Sequence, residues 1–302
     1  MKWAMILTAF TLHAEVVTDV KALALSGDFG GAEKVVAAYK SSQGVNGEYV
    51  EAFSWLGRAA LAAKKYDAAL TYAGKTRELA VGLLKSRKLD AEGHLPLGLG
   101  ASIEVQGQAM AAQGQRSEAV AFLRQEVQAW KTTSIRARIQ KNLNLLSLTG
   151  QPAPPIEIAE YLGSKPKTLA GYKGKPLVLF FWAHWCADCK AQGPVLAQLR
   201  REFQAKGLTV VMPTQRYGYV AGGADTTPAA ELKYIDQIRR QFYADLMDAP
   251  SPVSEETFKQ YGSSTSPTLV LVDAAGLVRL YRPGKMSYDE LLPEIRKLVG
   301  AS

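Results

Sequence analysis

Phe180–Lys190 reads FFWAHWCADCK and contains Cys186 and Cys189, the only two cysteines in 302 residues. A bridge across two residues closes a very small loop, and the stabilisation from loop closure shrinks with loop length. The pair is therefore poorly placed as a staple and well placed for chemistry. It follows an apolar run, KPLVLFFWA, that reads as a buried strand. The residues from Cys186 to Ala205 read as the next helix.

Downstream the same grammar continues. GLTVVMP is a strand, AAELKYIDQIRRQFYADLM a helix, PTLVLVD a buried strand, LVRLYRP a strand after the DAAG turn, and MSYDELLPEIRKLV an amphipathic helix. Alternating strands and helices imply an α/β domain with a central sheet and helices on both faces. Upstream, SLTGQPAPPIEI carries Gly150, Pro152, Pro154 and Pro155, which break helix and favour an extended connector. The expected division is a signal segment at 1–14, a helical domain at 15–150 and an α/β domain at 151–302.

The helical half is Ala-rich and strand-poor. LALSGDFGGAEKVVAAY, LAAKKYDAALTYA and MAAQGQRSEAVAFL share one design: small residues on one helix, a polar turn, then Ala or Val at helical spacing on the next. Small residues let helices approach closely. The spacing is irregular and longer than the ~34 residues of tetratricopeptide (TPR) repeats. FSWLGRAALAAKKYDAAL nevertheless resembles that repeat in its Leu-Gly pair and its later Ala68-Ala69. A TPR-like array and an unrelated antiparallel bundle both fit, and either serves packing or the binding of a protein partner.

Bulk properties narrow the function. The composition is 47% hydrophobic and 21% charged, as in folded globular protein. The net charge of +8 is spread through both halves and interleaved with acids, as in KTRELAVGLLKSRKLDAE, so it reads as solvated surface and not as a nucleic-acid interface. A zinc site needs about four ligands, and two cysteines with His184 fall short, so no metal is expected. MKWAMILTAFTLHAE has a positive n-region at Lys2, an apolar stretch from Trp3 to Leu12 and small Ala14, which reads as a secretory signal. The rival reading is a first amphipathic helix. The first places the protein in the periplasm or otherwise outside the cytoplasm; the second leaves it cytoplasmic.

FFWAHWCADCK, Pro194 five residues after the second cysteine, and TSPTLVLVDAAG downstream together resemble a thioredoxin fold. The lead-in TLAGYKGKPLVLFFWAHWC and the long insert between Met212 and Pro267 resemble the TlpA/ResA-like thiol-disulfide oxidoreductases. The fold class expected is thus an α/β thioredoxin fold preceded by an all-α, TPR-like domain. The resemblance implies catalysis by Cys186 and Cys189, with Pro267 as a cis-proline. It implies substrate contact at Trp185, Ser266 and Pro267, a protein disulfide as substrate, and a thiol reductant such as a membrane electron donor. No cofactor beyond the Cys186–Cys189 disulfide is implied.

Physical chemistry gives the cysteines the same roles. A sulfur at a helix start faces unpaired N–H groups and the positive end of the dipole, which favours thiolate at Cys186. Cys189, one turn on, is placed to attack the resulting mixed disulfide. Asp188 opposes this: the dipole contributes about 0.3–1 kcal/mol, and a carboxylate at ~6 Å costs roughly 0.7–3 kcal/mol. Near-cancellation would make the pair a reductant and not a strong oxidant. Thioredoxins carry a buried acid where this chain has Phe180, so that proton path is missing. His184 reads as a surface histidine and Trp182 as packing. A peroxiredoxin would want Thr at Ala183. The rival from another class is a partner-binding scaffold with an inactive thioredoxin-like domain.

Overall fold

The computed structural model describes residues 16–300. The expected signal segment lies outside them. The chain forms two compact units that part at Ala119/Val120, well ahead of the proline-rich stretch where the sequence places the boundary.

The first unit is helical: α1 (Val16–Leu25), α2 (Phe29–Gln43), α3 (Gly47–Ala62), α4 (Tyr66–Leu83), α5 (His94–Ala112) and the start of α6 (Arg116–Ala129). Asp28 and Asn46 begin α2 and α3 as N-caps, each accepting a backbone N–H three residues on at 2.8 Å. Ala60, Ala69, Ala73, Val105 and Ala109 form a core of small residues, edged by Phe29, Tyr66 and Tyr72. Their small volume brings helix axes together. A Cβ on Gly98 of α5 would stand 2.7 Å from Val50 Cγ1 of α3. α3 packs against both α1 and α5, and α1, α2, α3 and α4 each pack against the next helix in sequence.

The second unit adds α7 (Arg136–Ser147), β1 (Tyr161–Leu162), β2 (Leu177–Phe181), α8 (Ala187–Glu202), β3 (Thr209–Val211), α9 (Pro228–Phe242), β4 (Ser251–Pro252), α10 (Glu255–Tyr261), β5 (Thr268–Val272), β6 (Val278–Pro283) and α11 (Tyr288–Gly300). Its main sheet runs β3-β2-β5-β6. β2 is parallel to β3 and antiparallel to β5, and β5 is antiparallel to β6. This is the thioredoxin-like fold read from the sequence. Short β4 and α10 were hidden inside the stretch read as insert, and short β1 lies between the proline-rich connector and the lead-in.

Alternation along β2 buries both faces. Val178, Phe180 and Trp182 join Leu196, Ile238, Leu291 and Ile295 on one side. Leu177, Leu179 and Phe181 join Leu148, Phe258 and Tyr261 on the other. The earlier domain start has its reason on this second side. Asn144 Nδ2 donates to Tyr261 O at 2.9 Å, and Arg136 forms a bidentate pair with Glu256 of α10. Gly262 has φ +62°, and a Cβ there would fall 2.2 Å from Lys141 N. α7 therefore belongs to the α/β unit.

Candidate functional site

β2 ends at Phe181 opposite Thr268, the first residue of β5. Antiparallel pairing thus brings the segments 182–186 and 265–267 to the same end of the sheet. The first is held down from the segment that follows β3: Trp182 Nε1 donates to Met212 O at 3.1 Å, and Thr214 Oγ1 to Trp182 O at 3.0 Å. Trp182 is fully buried, the packing role read from sequence.

Cys186 is the N-cap of α8, and its Sγ accepts the backbone N–H of Cys189 at 3.0 Å. The two sulfurs are joined as a disulfide. Cys186 is 4% exposed and Cys189 0%. Both sulfurs are buried in this oxidised state, Cys186 slightly the less so. The helix continues through Pro194. Gly193 beside it admits Tyr243, whose ring carbon Cδ1 would lie 2.6 Å from an added Cβ.

The bond before Pro267 is cis. Ser266 and Trp185 line one cavity of about 490 Å³ with Tyr217 and Gln215. Trp185 is 48% exposed and meets Tyr217 edge-on at 5.5 Å. Trp185 and Ser266, predicted as substrate contacts, therefore line the same cavity as Tyr217.

Two expectations are corrected. Asp188 is not an isolated charge: Lys285 Nζ sits 2.7 Å from its Oδ1, so its field at the sulfur is largely offset. His184 is not a surface residue. It is 2% exposed, ringed edge-on by Tyr217, Tyr219 and Tyr234 at 5.3–5.5 Å, with Nε2 3.5 Å from Glu231 Oε1. Burial pushes its imidazole below the ordinary range, against the upward pull of Glu231. Glu231, itself buried, accepts the backbone N–H groups of Tyr217 and Gly218. Phe180 is buried against Tyr243, as its apolar character requires. The second unit thus has a buried carboxylate, but it comes from α9. The sequence signal was the cluster of tyrosines in the insert, which need a partner ring to face.

Among the described residues no group of three or more His, Cys, Asp or Glu is arranged to hold a metal ion.

The second unit is a thioredoxin-like domain with a cysteine pair at the start of α8, and the chain is similar to thiol-disulfide oxidoreductases. Residues 149–216 match the AhpC/TSA family. The chain is 26% identical over 151 residues to the thiol-disulfide oxidoreductase ResA of Bacillus thuringiensis subsp. konkukian, covering 49% of this chain and 78% of that one. It is 26% identical over 132 residues to the thiol:disulfide interchange protein DsbE of Pseudomonas fluorescens biotype C, covering 44% and 65%. A solved DsbE-type structure from Chlorobium tepidum superposes with a TM-score of 0.38 at 25% identity, over 50% of this chain and 98% of that one.

Proposed function

We propose that the chain is an exported protein-disulfide reductase whose redox group is the Cys186–Cys189 pair. The observation that carries this reading is Cys186 at the N-cap of α8, where its sulfur already accepts a helix N–H. The same hydrogen bond and the helix dipole stabilise a thiolate. Exposed Trp185 beside it offers an aromatic surface to a partner.

In the reduced protein the Cys186 thiolate attacks one sulfur of a substrate disulfide. A Cys186–substrate bond forms, the substrate S–S bond breaks, and the departing thiolate takes a proton from solvent. The Cys189 thiolate then attacks Cys186 Sγ and releases the second substrate thiol, leaving the Cys186–Cys189 disulfide. The substrate gains two electrons and two protons. A dithiol donor, proposed to be membrane-bound, returns the site to its reduced form. Ala183 stands where a peroxidase would want threonine, which favours disulfide over peroxide.

Export is proposed from the Lys2, Trp3–Leu12 and Ala14 pattern. The first unit, proposed as a TPR-like array, would bind a protein partner. Insulin reduction with a chemical reductant tests the activity: turnover abolished by Cys186→Ser supports it. A silent wild-type protein leaves the partner-binding scaffold. With Cys189→Ser, substrates should stay on Cys186 as mixed disulfides identifiable by mass spectrometry.

A further inference from the structure

The cavity at Trp185 and Ser266 extends away from the cysteines along walls that do no redox chemistry. One wall is Thr132, Thr133, Ser134 and Ala137, where the chain enters α7. These residues precede the 149–216 stretch that matches the AhpC/TSA family, so this wall is an addition to the shared core. The facing wall is α10 with Ser263 and Ser264 of the loop that leads to Ser266.

We propose that this cavity seats the extended polypeptide flanking the substrate's reactive cysteine, and that it selects an uncharged, polar segment. The inference rests on the disulfide-reductase reading above. Three observations carry it. The lining is rich in hydroxyls and carries no net charge, because Glu255 and Lys259 are paired at 2.6 Å. Ser263 is 6% exposed, and its Oγ is buried without a hydrogen-bond partner. An orphaned buried hydroxyl costs free energy until a partner group arrives. The walls are also braced before any ligand comes. Arg136 is tied to Glu256 at 2.6 and 2.9 Å, and α7 packs directly on Gly262. A braced cleft does not pay to order itself on binding. An apolar helix would leave the hydroxyls unpaired, and a charged segment would find no counter-charge free.

The test uses the pre-reduced full-length chain and two chromogenic mixed disulfides of thionitrobenzoate. One is carried on N-acetylcysteine amide, the other on the peptide Ser-Thr-Gly-Cys-Gly-Asn-Ser. Release of thionitrobenzoate is followed in a single turnover. The peptide should half-saturate the wild type at a concentration about tenfold lower than the one-residue compound, as one or two net hydrogen bonds give. Ala137→Trp and Ser264→Trp, which fill the cavity from opposite walls, should each remove that advantage. The one-residue rate should stay unchanged, which also reports an intact fold. Equal saturation by both compounds in the wild type overturns the proposal. So does an equally strong advantage for an Asp- or Lys-rich peptide. If neither compound reacts, the reductase reading fails instead. Calorimetry with the oxidised chain and the Cys-to-Ser peptide then decides the cavity separately: binding lost in Ala137→Trp supports it, and no binding overturns it.

Discussion

The two faces of the β3-β2-β5-β6 sheet bury alternate residues of the same β2 strand, yet they are closed in different ways. On one face Val178, Phe180 and Trp182 meet α8, α9 and α11, all elements that follow β2 in the chain. This is the face that carries Cys186 and Cys189. On the other, Leu177, Leu179 and Phe181 meet α10 and a residue contributed from before the prolines, Leu148. The first face is self-contained in the α/β stretch. The second is completed by chain that looks, by composition, like the end of a helical domain. The proline-rich connector thus marks a change of secondary structure inside one compact unit.

The sharpest way to break that contrast is truncation. A fragment starting at Gln151 lacks Leu148 and the Asn144 hydrogen bond to Tyr261, while one starting at Val120 keeps both. Burial of one leucine contributes about 1.5–3 kcal/mol, and each hydrogen bond about 0.5–1.5 kcal/mol. The shorter fragment should therefore be less stable by roughly 2–4.5 kcal/mol in urea unfolding. Equal midpoints for the two fragments would show that α7 is an accessory to the second face and not part of it.

Two glycines sharpen the comparison, one per face. Gly262→Ala forces a side chain into the left-handed region and against the α7 backbone at 2.2 Å. Neither can give way, so a loss of about 2–3 kcal/mol is expected, with thiol reactivity unchanged. Gly193→Ala meets the Tyr243 ring at 2.6 Å, and a ring can shift. A loss of about 1–2 kcal/mol is expected there. Because Gly193 lies one turn from Cys189, the alkylation rate of the reduced cysteines should move as well. If Gly262→Ala alters alkylation and Gly193→Ala does not, the assignment of the faces is reversed.

A smaller effect is expected from His184, on the cysteine face. Burial lowers its pKa in the folded chain, so the unfolded chain binds more protons just below the ordinary value of about 6.5. Stability should fall as pH drops from there toward the lower folded value. Glu231 and Lys190 act on the imidazole in opposite directions. His184→Gln should flatten the acid limb of a stability–pH curve, measured by urea midpoints. An unchanged limb would mean that the loss belongs to other groups.

The cysteine face was legible because its signals are local. C-x-x-C, the helix proline and Ser-Pro-Thr each sit within a few residues, and strand periodicity sets which side they face. What stayed hidden depends on contacts far apart in the chain. Asn144 meets Tyr261, His184 meets Glu231, and Asp188 meets Lys285, and no spacing rule announces such pairs. His184 was misread because one histidine between Ala183 and Trp185 gives no sign of the three tyrosines that enclose it. α10 was lost for a related reason: it is one short helix, Glu255–Tyr261, inside an insert with no long apolar period.

The smallest effect expected is at Asp188, and it decides how the thiolate is tuned. Taken alone, a carboxylate about 6 Å from the sulfur opposes the thiolate by roughly 0.7–3 kcal/mol, enough to cancel the helix dipole. With Lys285 Nζ at 2.7 Å the pair presents a dipole and not a charge. Both side chains are more than half exposed, at 58% and 56%, where such pairs are worth about 0–1 kcal/mol. Asp188→Asn should therefore speed alkylation of reduced Cys186 at pH 7 by less than about threefold, since the lysine it leaves behind adds only a screened positive charge. Lys285→Ala, which frees the carboxylate, should slow it by a similar factor. The double variant should return close to the wild-type rate. An acceleration above about tenfold in Asp188→Asn, with no slowing in Lys285→Ala, would restore the unpaired carboxylate as the controlling charge.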